Sequence, residues 1–319
     1  MRAGLYLQPG RILRPAARRN LFSHSPMKND LGMHTREIPS SGEPLPVIGC
    51  GTWKAFDVGK DAVSRAPLAQ VLQTLFENGT AALSGRHSVA SHLIDTSPMY
   101  GRAEAVVGDL LEAGKWHEKA FVATKVWTQG RDAGIAQMRR SMQLMQRNPI
   151  DLMQIHNLLD WRTHLETLLA WKKEGLIRYL GITHYASSSF RELEAVMRAE
   201  PIDFVQLNYS LEEREAEERL LPLAADREIA VIVNLPFGAG SLLRKVRGKQ
   251  IPVWVKEIGC ESWAEVLLKF VLSHTAVTCV IPGTGSPEHM AENCRGGMGA
   301  TFDDALRERL IEFWDSGIA

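Results

Sequence analysis

From Thr35 onward the chain alternates between short apolar runs and longer stretches in which apolar residues recur every three or four positions. The first kind reads as strand and the second as amphipathic helix. Residues 36–39 and 45–49 flank Ser40-Ser-Gly42, a turn signal that predicts a short hairpin. The run Val47-Ile-Gly-Cys-Gly51 reads as a strand ending in glycine, and a helix is predicted over 62–77. Residues 79–89, rich in Gly, Ala and Ser, read as a surface insertion before a strand at 93–95. Strands at 120–124, 151–155, 177–182, 204–207, 230–233 and 277–281 then alternate with helices over 103–113, 133–147, 161–174, 188–198, 216–227 and 262–273. Two more helices are predicted near 287–294 and 303–314.

Short strands that are apolar on both faces belong in a parallel sheet. Eight such strands, each followed by a helical segment over about 250 residues, fit a closed barrel better than an open sheet. An open dinucleotide-binding sheet would carry GxGxxG after an early strand. Gly49-Cys-Gly51 and Gly238-Ala-Gly240 both lack the third glycine. The expectation is a single-domain α/β protein: a (β/α)8 TIM barrel over 34–319, with an N-terminal β-hairpin and an extra C-terminal helix.

Residues 1–33 differ. Arg2, Arg11, Arg14, Arg18 and Arg19 precede the first acidic residue, Asp30. Arg18-Arg19-Asn-Leu-Phe22 resembles a twin-arginine export signal, but polar Ser23-His-Ser-Pro-Met-Lys-Asn-Asp30 replaces the apolar stretch such a signal needs. The segment reads as a disordered tail, a degraded leader or a transit peptide. A cytoplasmic location is expected, with the periplasm open if the leader functions.

Composition narrows the function classes. The 319 residues carry 37 basic and 37 acidic side chains, a formal charge of zero, so no global field favours nucleic acid or an anionic membrane. No apolar run approaches the roughly 18 residues of a transmembrane helix. Cys50, Cys260, Cys279 and Cys294 are far apart, without CxxC, and the ten histidines form no HExxH. Reduced thiols, no metal site and a monomer are expected.

Barrel chemistry gathers at the C-terminal strand ends. Those positions here hold Gly51-Thr-Trp53, Asp95 with Tyr100, Lys125 with Trp127, His156-Asn157, Thr183-His184, Gln206 with Asn208 and Tyr209, Asn234, and Gly283-Thr284. Singly, each has a plainer reading: Asp95 as a turn former, Lys125 as a solvated strand end, His156 as structural, each tryptophan as core. Together, Asp95, Tyr100, Lys125 and His156 form a set able to protonate a carbonyl oxygen. A lysine ammonium beside the phenol is expected to lower its pKa from about 10, an aspartate holds the lysine, and a histidine polarises the substrate oxygen.

At these residues the sequence resembles the aldo/keto reductases over about 35–300. The shared motifs are Gly51-Thr-Trp53, Ile94-Asp-Thr-Ser-Pro-Met-Tyr-Gly101, Ala123-Thr-Lys-Val126, Asp151-Leu-Met-Gln-Ile-His156, Gly175-Leu-Ile-Arg-Tyr-Leu-Gly-Ile182, Val205-Gln-Leu-Asn-Tyr-Ser210 and Ile281-Pro-Gly-Thr284. The resemblance implies a (β/α)8 barrel that binds a nicotinamide cofactor across the strand ends and reduces aldehydes or ketones by hydride transfer. It implies Tyr100 as general acid, tuned by Lys125 and Asp95, and His156 as the group that orients the carbonyl. The cofactor positions it implies are Gly51, Thr52, Trp53, Asp95, Thr183, His184, Gln206, Asn234, Leu235, Pro236, Gly238, Pro282, Gly283, Thr284, His289, Glu292 and Asn293.

Several of these depart from the family pattern. Thr183-His184 stands for Ser-Asn, Asn234 for the tyrosine that stacks under the nicotinamide, and Gly283 and His289 for the Lys and Arg that hold the 2′-phosphate. The cofactor is therefore NADP(H) or NAD(H), with weak NADPH selectivity expected. Amides at the start of the helix near Pro287 are expected to face a phosphate. Trp53, Tyr100, Trp127 and His156, with Trp161, are expected to wall a small-molecule carbonyl pocket. The short stretch after the last helix suggests an open pocket and broad acceptance. A second function class is a cofactor-binding regulatory protein on this fold; a third is a barrel hydrolase or isomerase using His156 and Asp95.

Overall fold

The computed structural model describes Met1, residues 32–78 and residues 91–317. The expectations for the basic N-terminal segment and for the insertion at 79–89 fall outside these residues. The strands are β1 (Thr35–Ile38), β2 (Glu43–Pro46), β3 (Cys50–Gly51), β4 (His92–Asp95), β5 (Ala120–Val126), β6 (Ile150–His156), β7 (Ile177–His184), β8 (Phe204–Asn208), β9 (Ala230–Asn234) and β10 (Val277–Val280). The helices are α1 (Ala62–Asn78), α2 (Ala103–Gly114), α3 (Arg131–Met145), α4 (Trp161–Glu174), α5 (Phe190–Ala199), α6 (Ala216–Asp226), α7 (Ser241–Lys245), α8 (Val253–Lys256), α9 (Trp263–Ser273), α10 (Pro287–Gly296) and α11 (Asp304–Asp315). Two of these, α7 and α8, have no counterpart in the sequence reading. They are single turns on either side of Gly248, too short to show a period.

Strands β3 to β10 pair in parallel in chain order. Bridges Ile48–Val280 and Gly51–Gly283 join the first strand to the last and close the barrel. Gly51 permits that closure, since a Cβ there would lie 2.8 Å from the Ile281 carbonyl. Side chains alternate along each strand. Leu93, Phe121, Ala123, Leu152, Tyr179, Phe204, Ile232 and Cys279 fill the interior, and a second apolar cluster packs the outer strand faces against the helices.

The hairpin β1–β2 covers the N-terminal mouth, with Ile38 and Leu45 buried in the interior cluster. Arg36 on β1 donates to the carbonyls of Leu272 (2.5 Å), His274 (2.9 Å) and Val277, where α9 runs into β10. It thereby satisfies carbonyls that a helix end leaves orphaned.

Candidate active site

Inward positions two residues apart carry the chain from an apolar floor to a polar ceiling. Leu93 gives way to Asp95, Phe121 and Ala123 to Lys125, Leu152 to Gln154 and then His156, and Phe204 to Gln206. Asp95 and Lys125 are almost completely buried and paired at 2.7 Å. Lys125 Nζ also donates to the Thr96 carbonyl at 2.8 Å. The second carboxylate oxygen of Asp95 accepts from Gln206 Nε2 at 2.8 Å and Gln154 Nε2 at 3.1 Å. The Thr52 hydroxyl donates to the Asp95 carbonyl at 3.0 Å, anchoring the end of β4. Gln154 was absent from the sequence-derived site. The signal was there: it lies two residues before His156 and therefore points the same way.

After Asp95 the chain turns sharply. The Tyr100 amide donates to the Ser97 carbonyl at 3.0 Å. Gly101 follows at φ +62°, where a Cβ would collide with the Asp57 carboxylate at 2.4–2.5 Å. Asp57 accepts the Arg102 amide at 3.1 Å and so pins the turn at the start of α2. The result sets Tyr100 over Lys125, whose Nζ is 4.9 Å from the ring centroid. His156 meets the Tyr100 ring edge-on at 6.1 Å and the Trp127 ring at 6.3 Å. Ser97 Oγ lies 3.2 Å from His156 Nδ1.

The electrostatics differ from expectation at one point. The Tyr100 phenol is raised above its usual value, because burial, helped by Asp95, outweighs the pull of Lys125. The lysine lowers the pKa as expected, but burial of the neutral phenol is the larger influence. Burial also opposes charge on Lys125, yet Asp95 and Tyr100 overcome it and hold the ammonium above its usual value. His156 is driven down to about 3, chiefly by burial and then by Lys125 and His184. Its ring is therefore neutral at physiological pH.

The ends of β7 to β9 form an amide cluster. Gln206 Oε1 accepts from Thr183 Oγ1 at 3.3 Å and Asn234 Nδ2 at 3.4 Å. Among the described residues, the buried oxygens Asn208 Oδ1 and Asn234 Oδ1 have no partner. His184 turns aside: its Nδ1 accepts the Ala186 amide at 3.1 Å and its ring stacks on Tyr185. Leu235 (φ +50°) and Gly238 (φ +53°), with Pro236 between them, carry the chain away from β9. Pro282 accepts the Gly51 amide at 3.3 Å. Beyond them, Gly283, Thr284, His289, Glu292 and Asn293 line one cavity of about 490 Å³. Phe237, Lys249, Lys256, Glu261 and Trp263 are also among its walls. The sequence reading missed both lysines, which sit on and before the unanticipated α8. Trp263 Nε1 donates to the Lys249 carbonyl at 2.9 Å and holds that segment at the cavity. The His289 amide at the start of α10 is already taken by Ser286 Oγ at 3.2 Å. One of the amides expected to face a phosphate is therefore occupied.

On the substrate side, Trp127 (36% exposed) and Trp53 (48% exposed) stand open at the strand ends, Trp53 beneath Lys54 at 4.3 Å. Trp161, also expected to wall the pocket, starts α4, packs against the outer core and is covered by Arg162 at 4.2 Å.

The sequence profile of the aldo/keto reductase family matches residues 47–305. The chain belongs to that family. Three relatives show how far the sequences have diverged. An uncharacterized oxidoreductase of Schizosaccharomyces pombe is 27% identical over 206 residues, 62% of this chain and 61% of that one. The aldo-keto reductase YhdN of Bacillus subtilis is 24% identical over 229 residues, 67% of this chain and 65% of its own length. The match thus spans somewhat under two thirds of these two relatives. A Klebsiella pneumoniae aldo/keto reductase, solved with NADP and acetate, superposes with a TM-score of 0.68 at 23% identity, covering 85% of this chain and 93% of that one. This aldo/keto reductase has no helix among its described residues long and apolar enough to cross a membrane.

Proposed function

We propose that the protein is an NAD(P)H-dependent reductase that converts an aldehyde or ketone to the alcohol. The carrying observation is the meeting of Tyr100, His156 and the buried Asp95–Lys125 pair at three neighbouring strand ends. The residues at the ends of β7 to β10 fit a dinucleotide. Two buried asparagine oxygens there lack partners, and the cavity beyond them has room for a nucleotide and two lysines beside it. Gln206, Thr183 and Asn234 would hold the nicotinamide end, and Thr284, His289, Glu292 and Asn293 the adenosine end. When bound, the reduced nicotinamide supplies the hydride. The complex of the Klebsiella relative with NADP is consistent with this reading.

The chain's own residues do the rest. The Tyr100 phenol is protonated at neutral pH, and because burial holds its pKa above the usual value, proton release depends on the opposing pull of Lys125. When the proton leaves for the carbonyl oxygen, the Lys125 ammonium stabilises the phenolate, and Asp95 keeps that ammonium in place. Neutral His156 donates a hydrogen bond to the same oxygen and orients it. Trp53 and Trp127 offer apolar walls to the substrate.

Lys256, which lines the same cavity, would make up part of the cation deficit implied by Gly283 and His289. NADPH selectivity stays modest on this reading, because flexible lysines lack the bidentate fork of arginine. The test is loss of nicotinamide absorbance with a reactive aldehyde. Tyr100→Phe is expected to lower turnover by about 10²–10⁴-fold with cofactor affinity retained. Unchanged turnover in that variant rejects the reading, and tight cofactor binding without turnover in the wild type points to a regulatory role.

A further inference from the structure

We infer that Ser97 is a positioning residue: its hydroxyl donates to His156 Nδ1 and so fixes the ring tautomer that presents Nε2–H to the substrate. The inference rests on the carbonyl-reductase reading for its catalytic meaning, but the tautomer is a property of the cofactor-free protein.

Ser97 is fully buried, so its hydroxyl proton must find its acceptor within the protein. Among the described residues, two groups lie within reach of Oγ. The Met99 amide donates to it at 3.2 Å, and His156 Nδ1 is 3.2 Å away. The amide is a donor only, which leaves Nδ1 as the acceptor for the hydroxyl proton. Were Nδ1 protonated, the hydroxyl would receive two hydrogen bonds and its own proton would point at nothing. An unmade buried hydrogen bond is the costlier state. Nδ1 is therefore bare.

The ring is neutral, so one proton remains for it, and that proton sits on Nε2. The rings of Tyr100 and Trp127 flank the histidine and limit its rotation. The backbone ties Ser97 to the acid as well. The Ser97 carbonyl accepts the Tyr100 amide at 3.0 Å, so one four-residue turn sets both the general acid and the tautomer of its neighbour. With the other tautomer, a bare Nε2 would meet the carbonyl oxygen lone pair to lone pair. Serine at this position thus aims the histidine as a donor.

The deciding measurement is 15N NMR of the imidazole in cofactor-free protein, with the His156 signal assigned by its loss in His156→Gln. Wild type is expected to show a bare Nδ1 and a protonated Nε2. Ser97→Ala should move the ring toward a mixture of tautomers and lower kcat/KM for an aldehyde about 10- to 100-fold. Cofactor affinity, read by quenching of tryptophan fluorescence, should not change. Ser97→Thr keeps the hydroxyl and is expected to restore both tautomer and rate. It also keeps the test open if the alanine variant folds poorly. A protonated Nδ1 in wild type overturns the inference whatever the activity. So does a Ser97→Ala protein whose ring signals match wild type. If Tyr100→Phe retains full turnover, the reductase reading fails while the tautomer result stands on its own.

Discussion

The two ends of the barrel use similar residues for different purposes. At the N-terminal end, Asp151 binds Arg178 at 2.7 Å, Arg147 at 2.9 Å and the Val122 amide at 2.8 Å. Arg178 also pairs with Glu43, and the Tyr179 hydroxyl lies 2.7 Å from both Ser41 Oγ and Glu43 Oε2. Burial, aided by Glu43, pushes that phenol up to about 12. Here an aspartate, a cation and a tyrosine close on one another and on the hairpin. At the C-terminal end, Asp95, Lys125 and Tyr100 supply the same three groups. There the aspartate is saturated, but the tyrosine and the histidine beside it face the open strand ends, and asparagine oxygens are left unpaired. The residue types alone do not mark the proposed reaction site. What sets it apart from the lower cluster is that its tyrosine and histidine stay turned toward the open strand ends.

Substitutions can break this contrast. Removing the cation at the upper end, Lys125→Met, should lower aldehyde turnover by about 10²–10⁴-fold and destabilise the fold by about 3–5 kcal/mol, because Asp95 is left buried with only amides. Steady-state rates and thermal denaturation read the two effects separately. The matching change at the lower end, Asp151→Asn, should cost about 2–4 kcal/mol of stability and leave kcat/KM within about twofold. A large rate loss there would erase the division between the ends.

At the N-terminal end too lies His92, buried at the start of β4 against Phe76 at 6.0 Å and pushed down to about 4 by burial. The unfolded chain takes up this proton near pH 6.5, the folded chain only near 4. Stability is therefore lost as pH falls through that window. In His92→Leu the acid limb should flatten by about 2–3 kcal/mol, measured by urea unfolding at pH 7 and pH 4.5. The smallest expected effect concerns the proposed cofactor cavity. NADPH should bind less than about tenfold tighter than NADH, and Lys256→Ala should narrow the difference about threefold, more at low salt than at high. A hundredfold preference for NADPH in fluorescence titration would contradict this.

The strand ends were legible in the sequence because each apolar run stops at a polar residue, and strand order follows chain order in this barrel. Asp95, Tyr100, Lys125 and His156 were found that way. Gln154 was not, because it lies one layer below the rim and only period-two reasoning backward from His156 reaches it. Lys249 and Lys256 were invisible for a different cause. They belong to single-turn helices without a pattern, and only the packing of Trp263 onto the Lys249 carbonyl brings that segment to the cavity. The net direction of the Tyr100 shift also needed the structure, since burial is a property of the fold and not of neighbours in the chain.

The reach of Arg36 bears on how the molecule comes into being. Its guanidinium grips carbonyls 236 to 241 residues further along the chain. During synthesis the N-terminal plug must wait, its charge unburied, until α9 and the start of β10 have emerged. A nascent chain halted before Leu272 lacks all three carbonyls that this arginine binds in the folded protein, so the native seal of the barrel floor requires nearly the whole barrel to have been made. The contact closes one of the longest loops in the chain, and the entropy of that closure is part of what the seal must offset.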